Sequence, residues 1–413
     1  MRIALVIDYA LDYLGGAQSA FLDEARVLDE RGHEVAVIAP LRGLEAATRG
    51  LRGEILGVSA RWTLPGADLP LIRSSPALRD ELREAFLRLG IEAVHVHSEF
   101  GLAAAAIDAA RELGLRTVQT VHTFYWMAPA PSALAPLAAR LVAGFARRIR
   151  GFGITAAPLA ASPLDAALRG ITHSLALRVD AVVSPSAHQA TALRSAGIEH
   201  VVVIPNANAA RSAPGAPVRR VDGPLRVAWV GRIVAEKRPV VFAEAALLAA
   251  RALGPGALRV EFIGAGPLLP RLRALRRAGA PIELAGRVPR PGVASRMRRA
   301  HLVALTSLGY DNQPVTIIEA LHARRGVLVA DPALREGLGT GAALRPATPD
   351  AAGIAALLVG LARDPEPVLA ASAAAASGAY DFDPAQHVAA LLDVYRGRAD
   401  ARPALGACSE APA

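Results

Sequence analysis

The sequence predicts an α/β protein made of two doubly wound parallel sheets, one in each half of the chain. Three observations predict it. Apolar runs alternate with segments of helical spacing from end to end, the pattern of parallel strands joined by helices. Residues 209 to 224, "AARSAPGAPVRRVDGP", are rich in Pro, Gly and Arg and separate two such series. The chain has 413 residues, 53% of them apolar, which suffices for two domains with a core each.

The elements follow in order. "IALVID" is a short apolar run read as a buried strand. "GGAQSAFLDEARVLDERGH" follows, with Phe21, Ala25 and Leu28 at helical spacing. "EVAVIAP", "AVHVHS", "RTVQTVH", "AVVSPS" and "VVVIPN" continue the strand series. Beyond the linker come "LRVAWVG", "LRVEFIG", "PIELAG", "AHLVALTS" and "GVLVAD", a second parallel sheet. "PAQHVAALLDVYRGR" reads as a last helix, with Asp383 as N-cap and Pro384 in the first turn. Residues 400 to 413 read as a disordered tail. In doubly wound sheets ligands bind at the carboxyl ends of the strands, so the loops there are where chemistry is sought.

Charge narrows the partners. The formal net charge is +9 and the pI about 10.6, which favours anionic ligands: nucleotide phosphates, acidic lipid or nucleic acid. Nucleic-acid binding needs aromatics among the basic residues, and aromatics are only 4%, so no specific nucleic acid is expected. The single cysteine, Cys408, allows no disulfide within the chain and fits a reducing cytosol. The start lacks the long apolar region of a signal peptide, and no run of about 18 uncharged apolar residues occurs. The expected location is therefore cytoplasmic.

Of the 46 basic residues 45 are Arg, and the one lysine is Lys237. Asparagine occurs only at Asn206, Asn208 and Asn312. Such usage resembles coding from a GC-rich genome, in which Lys is exchanged for Arg wherever any positive charge serves. A lysine that survives this bias points to a need for a compact ammonium. It lies in "VGRIVAEKRP", where Arg232 and Lys237 flank a loop entering a helix. Two cations beside a helix N-terminus form a clamp for a diphosphate.

A second constellation is "YDNQPVTIIEA". Asp311 and Glu319 stand eight positions apart, with Asn312, Gln313, Pro314 and Val315 between strand and helix. Pro314 suits the first turn of that helix, whose free amides would face an anion. Glu319 can accept bonds from paired hydroxyls such as those of a ribose, or serve as an ordinary exposed acid. Asp311 lies nearer a sugar beyond the phosphates, or is an N-cap. Gly15 and Gly16 follow the first strand, either to admit a ligand close to the backbone or to make a tight turn.

Other motifs argue by absence or remain open. The first loop lacks G-x-G-x-x-G, the second strand ends without a ribose-binding acid, and Gly264 and Gly266 have no third glycine, so a dinucleotide cofactor is not expected. His122 ends a strand, where it can bond a sugar hydroxyl or share in proton transfer, or simply be a satisfied buried histidine. His95 and His97 share a strand face, but no further ligand accompanies them, so no metal is expected. Asp381 and Asp383 form a D-x-D before the last helix and read better as caps than as metal ligands. Between Arg116 and Asp165 there is no acid. Within that gap, 136–151 carries Arg140, Arg147, Arg148 and Arg150, with Leu137, Leu141, Phe145 and Ile149 every fourth residue. Such a helix packs on its own domain or lies on an anionic membrane, giving a peripheral protein of the inner face.

Taken together, "GGAQ", "HVHS", "TVHT", "VSPS", "VIPN", "VGRIVAEK", "FIGAGP", "AGRV" and "DNQPVTIIEAL" resemble glycosyltransferase family 4, and their style is similar to actinobacterial members. They span residues 15 to about 322 in the family's order. The resemblance implies a GT-B fold, two Rossmann-like domains facing a central cleft. The expected division is 1–207 joined by the helix at about 384–397, a linker at 208–224, and a donor domain at 225–383. It implies a retaining transfer of a hexose from a GDP- or UDP-sugar to an acceptor hydroxyl, without a metal or other cofactor. Arg232 and Lys237 match the diphosphate clamp, and Glu319 the second glutamate of an E-x7-E motif. Asp311 stands where the first glutamate is usual, one methylene short. His122 matches a histidine beside the transferred sugar, and Gly16 a glycine that approaches the donor phosphates. Gly264 and Arg287 would lie near the nucleotide. "PNANAA" replaces the usual Asn-Gly continuation, and Arg238 follows Lys237 where glycine is common. The alternatives left open are a sugar-nucleotide epimerase or hydrolase of similar fold, and a non-catalytic basic protein binding membrane or nucleic acid.

Overall fold

The computed structural model describes residues 1–12, 15–60, 62–64, 69–122, 135–209, 213–339 and 341–398. The chain divides into two compact units, Met1–Ala209 with Pro384–Ala413, and Ala210–Asp383. The expected tail at 400–413 lies outside the described residues.

The first unit contains strands β1 (Arg2–Val6), β2 (Glu34–Pro40), β3 (Ile55–Val58), β4 (Thr63–Leu64), β5 (Leu69–Pro70), β6 (Ala93–Val96), β7 (Arg116–Thr120), β8 (Ala181–Ser184) and β9 (Val201–Val203). Seven form one parallel sheet in the order β3-β2-β1-β6-β7-β8-β9; β4 and β5 make a separate antiparallel pair. Its helices are α1 (Gly16–Glu30), α2 (Leu44–Ala47), α3 (Pro76–Leu89), α4 (Gly101–Glu112), α5 (Ala135–Arg150), α6 (Pro163–Ala176) and α7 (Ala187–Ser195). Both faces of the sheet are covered, so its strands are buried on both sides and read as unbroken apolar runs. In β1, Ile3 and Leu5 join one core while Ala4 and Val6 join the other. The winding reverses between β1 and β6, and the loops after these two strands flank that switch point.

The second unit repeats the plan with β10 (Leu225–Val230), β11 (Leu258–Ile263), β12 (Ile282–Gly286), β13 (Leu302–Leu305), β14 (Gly326–Val329) and β15 (Ala343–Leu344). The order is β12-β11-β10-β13-β14-β15, all parallel, with the switch between β10 and β13. Helices α8 (Pro239–Leu253), α9 (Leu269–Arg277), α10 (Arg290–Arg299), α11 (Val315–His322), α12 (Ala351–Arg363) and α13 (Glu366–Gly378) cover it. The chain then returns to the first unit as α14 (Pro384–Tyr395), which buries Val388, Leu391, Val394 and Tyr395 in the core beside α1.

Four differences from the sequence reading have physical causes. Strands β3, β4 and β15 are short and have no fully buried residue, so they do not stand out in the sequence. Pro314 stands at the N-cap of α11, one place before its first turn. Part of the expected linker is pinned to the second unit: Gly215 N donates to His322 O (2.8 Å) and Val218 N to Ser372 Oγ (2.8 Å). Finally, the every-fourth stripe of α5 does not stay on one side, because four residues turn the helix by roughly 400° and each step drifts by about 40°. Leu137 and Leu141 are exposed, Phe145 is half-buried and Ile149 is buried. Arg140, Arg147 and Arg148 share the exposed side. Arg150 does not: it is fully buried, donates from Nη1 to Ser174 Oγ (3.0 Å) and lies over the Phe152 ring. Burial lowers its pKa to about 10.

Asp8, two residues past β1, shows how the sheet end is organised. Its buried carboxylate accepts from the amides of Phe100 (3.1 Å), Leu102 (2.7 Å) and Ala103 (3.3 Å), and from Ser98 Oγ (2.7 Å). It thereby satisfies the first amides of α4 and ties β1 to the loop after β6. Burial raises its pKa, and these four bonds oppose the rise. Asp8→Ala leaves those donors buried and unpaired, and should destabilise the protein by about 2 kcal/mol or more, read by urea unfolding.

Candidate active site

The loop after β10 and the loop after β13 meet across the second unit's switch point. Lys237 ends a short turn of 3₁₀ helix, Ala235–Lys237. Its carbonyl accepts from Thr306 Oγ1 (2.9 Å), whose oxygen also accepts from the buried indole N–H of Trp229 (2.9 Å). The backbone at Lys237 is thus anchored to the end of β13 from inside the core. Its ammonium pairs with Asp311 Oδ1, and Ser307 Oγ donates to the other Asp311 oxygen. Neither partner is immersed in solvent, with side-chain exposures of 19% and 10%, so the attraction is screened less than in a surface pair while each ion is more desolvated.

Arg238, the next residue, adopts φ +53°, a left-handed conformation that explains why a glycine is suited there. It is held by bonds from its guanidinium to Thr306 O (3.3 Å) and Pro349 O (2.7 Å). Arg232 pairs with Glu236 (3.3 Å) and is half-exposed. It also bonds the Tyr310 hydroxyl, beside Asp311; burial raises the Tyr310 pKa above its ordinary value.

Asn312 and Gln313 are buried, Val315 is partly buried, and all precede or open α11. Glu319, in the second turn of α11, accepts from Arg290 Nε (3.2 Å). Arg287 is exposed on the loop after β12. Gly264 has a structural reason to be glycine: φ is +149°, and a Cβ would sit 1.9 Å from Gly231 O. A Cβ on Gly266 would likewise meet Ile233 O at 2.3 Å. The loops after β10 and β11 therefore run backbone against backbone.

In the first unit, Gly15 and Gly16 show the opposite. Gly15 is an ordinary extended N-cap of α1, and a Cβ there would meet only the end of the Gln18 side chain. Among the described residues a Cβ on Gly16 meets nothing within 4 Å, and neither residue has positive φ.

His122 follows β7 and keeps an accessible edge. Its Nε2 lies 2.9 Å from His97 Nδ1, and the two rings stack at 5.2 Å. Burial, then the neighbouring His97, holds its pKa well below the usual histidine range. Behind it stands a group the sequence reading missed. Glu24 of α1 points at the face of β6 that carries His95 and His97: Oε1 is 2.9 Å from His95 Nδ1 and 3.3 Å from His97 Nε2. The His97 contact is off the line of a good hydrogen bond, so it is electrostatic rather than directional. From α14, His387 Nε2 lies 3.4 Å from Glu24 Oε2 and the Tyr395 hydroxyl 3.4 Å from Oε1. Burial raises the Glu24 pKa, but the histidines outweigh it and hold this carboxyl well below the usual range. Burial lowers the His95 pKa to about 4.

The expectation that no further ligand accompanies His95 and His97 is corrected by this cluster. Ligand atoms of Glu24, His95 and His97 lie within 4.8 Å of one another, a donor set open to a borderline cation such as zinc. A signal for it existed. Glu24 falls between Phe21 and Leu28 on the apolar stripe of α1, where an acid is out of place. His387 and Tyr395 had no comparable local signal. Of the D-x-D pair, Asp381 accepts from Gly337 N (2.9 Å) and holds a loop.

Known proteins share this plan. Residues 14–207 match the family described as Glycosyltransferase Family 4. One component of human phosphatidylinositol N-acetylglucosaminyltransferase is 30% identical over 138 residues, 32% of this chain and 28% of that protein. The match thus spans less than a third of the human relative. Phosphatidyl-myo-inositol mannosyltransferase of Mycolicibacterium smegmatis is 26% identical over 406 residues, covering 96% of this chain and 93% of that protein. Among solved structures, Anabaena HepE in complex with UDP superposes with a TM-score of 0.67 at 14% identity, over 96% of this chain and 100% of that one. At such identity the likeness speaks for the fold. With two Rossmann-like units of the same plan, the chain has the GT-B fold, and its first unit is similar in sequence to Glycosyltransferase Family 4.

Proposed function

We propose that the chain transfers a hexose from a GDP- or UDP-sugar to an acceptor hydroxyl, with retention at the anomeric carbon. The observation that carries this reading is the partly buried Lys237 ammonium, anchored through Thr306 at the switch point and paired with Asp311. A diphosphate would take the ammonium from that pair, joined by Arg232 and by the amides at the start of α11. Glu319, on the same helix, would accept from the ribose hydroxyls. Asp311, released from Lys237, would bond the sugar.

The reaction breaks the bond between the anomeric carbon and a diphosphate oxygen and forms one to the acceptor oxygen. The acceptor's proton passes to the departing diphosphate, so no protein nucleophile is required. Negative charge gathers on the leaving group, where Lys237 and Arg232 stabilise it. His122 is assigned to a hydroxyl of the transferred sugar. Support for a nucleotide-sugar donor comes from the UDP bound to Anabaena HepE. No helix among the described residues is long and apolar enough to cross a membrane. The exposed side of α5, with Leu137, Leu141, Arg140, Arg147 and Arg148, supports peripheral docking on an anionic membrane, as do the phosphatidylinositol names of two relatives.

Two variants test this. Lys237→Ala should lower kcat/KM for the donor by about 100-fold or more and weaken nucleoside diphosphate binding in calorimetry. Full turnover in that variant, measured with a panel of UDP- and GDP-sugars with and without acceptor, rejects the clamp. Gly16→Ala should keep or slightly raise thermal stability, since no described residue opposes a Cβ there, while turnover falls. Unchanged turnover would show that this glycine meets no ligand.

A further inference from the structure

The side chains behind His122 form a donor set with the spacing of a metal site. We propose that Glu24, His95 and His97 bind a borderline divalent cation of the zinc class, which has a structural role in the first unit. The inference goes beyond the proposed transfer and does not depend on it, since no step of that reaction passes through the ion.

Glu24 Oε1 lies 2.9 Å from His95 Nδ1 and 3.3 Å from His97 Nε2. Ligand atoms of all three residues lie within 4.8 Å of one another. Two atoms each about 2.0–2.1 Å from a tetrahedral zinc stand roughly 3.3 Å apart, so one ion can be shared by this carboxylate and the two imidazoles. Such a set suits borderline cations better than hard ones, which prefer oxygen alone. All three residues are buried. His97 Nε2 faces the carboxylate and, among the described residues, has no hydrogen-bond partner. A buried polar atom in that state is destabilising, and a cation between it and the carboxylate would satisfy it.

The surroundings are those of ligating histidines, which are held through their second ring nitrogen. His95 Nε2 meets Thr120 Oγ1 (2.7 Å), and His97 Nδ1 meets His122 Nε2 (2.9 Å). On the other oxygen of the carboxylate, His387 Nε2 stands 3.4 Å from Glu24 Oε2 while its Nδ1 donates to Pro205 O (2.7 Å). Composition points the same way. Elsewhere the chain answers buried or half-buried acids with arginine, as at Asp29, Asp108 and Asp165. Among the described residues Glu24 pairs with histidines instead, and with no Arg or Lys. One contact must give way: the Tyr395 hydroxyl lies 2.8 Å from His95 Nδ1, where the ion would sit. That hydroxyl is also 3.4 Å from Glu24 Oε1 and keeps this acceptor. Tyr395 and His387 both come from α14, so the ion would be enclosed when that helix docks and would tie α1 to β6 beneath it.

Metal analysis of the full chain tests this. Wild type expressed in zinc-supplemented medium should carry about one zinc per chain, and X-ray absorption at the zinc edge should show imidazole and oxygen ligands without sulfur. Glu24→Gln and His95→Gln should each lower the zinc content by about 10-fold or more. Wild type from zinc-depleted medium should unfold about 5 °C or more below the zinc-loaded preparation. A zinc-free wild type from supplemented medium overturns the proposal. So does a zinc content unchanged in both variants, which marks an adventitious ion, or sulfur among the ligands. Equal Tm for the two wild-type preparations overturns the structural role. If neither variant folds, the zinc content and ligand shell of the wild type decide. None of these readouts uses turnover, so failure of this site and failure of the proposed transfer are separable.

Discussion

A parallel sheet covered on both faces leaves its strands few places for polar side chains, and most of the charged groups sit at the strand ends. This constraint shapes both units. Strands such as β1 and β13 are apolar and buried along most of their length. Polar groups collect just beyond their last residues: Asp8 after β1, His97 after β6, Lys237 after β10 and Asp311 after β13. Because these positions are shielded, each charge must be answered locally. Asp8 is answered by amides of α4, Glu24 by histidines, and Asp311 by Lys237 and Ser307. What distinguishes the Lys237–Asp311 pair is that both side chains keep some exposure, as the proposed exchange for a diphosphate requires. Asp8 and Glu24 are enclosed and have no such freedom.

The two-sheet architecture was legible because doubly buried strands leave unbroken apolar runs, as in "IALVID" and "LRVAWV". Edge strands were not, since β3 and β15 are short and only half-covered. The Lys237–Asp311 region was legible through composition: one lysine among 45 arginines marks its own position. The Glu24 cluster was hidden because its members come from α1, β6, the end of β7 and α14. Contacts such as His95 to Tyr395, 300 residues apart, leave no periodic trace. Arg150 misled for a related reason. A helix wheel built on every fourth residue ignores the drift that carries its later positions inward.

Glycines sort by cause in the same way. Gly264 is demanded by the approach of two loops, so its presence says nothing by itself about a ligand. Among the described residues nothing demands a glycine at 16, and that makes it the more informative residue. Arg238 reverses the case: a left-handed position is filled by an arginine, whose guanidinium bonds two carbonyls and offsets a strain of about 1 kcal/mol.

The return of α14 bears on how the protein matures on the ribosome. Val388, Leu391, Val394 and Tyr395 complete a core whose other buried members lie before residue 210. Nascent chains leave the ribosome from the N-terminus, and domains usually fold as they emerge. Here the early half stays incomplete, with Glu24 and its histidines unsealed, until α14 has been translated. Truncation shortly before Pro384 would strand that half in an open, aggregation-prone form.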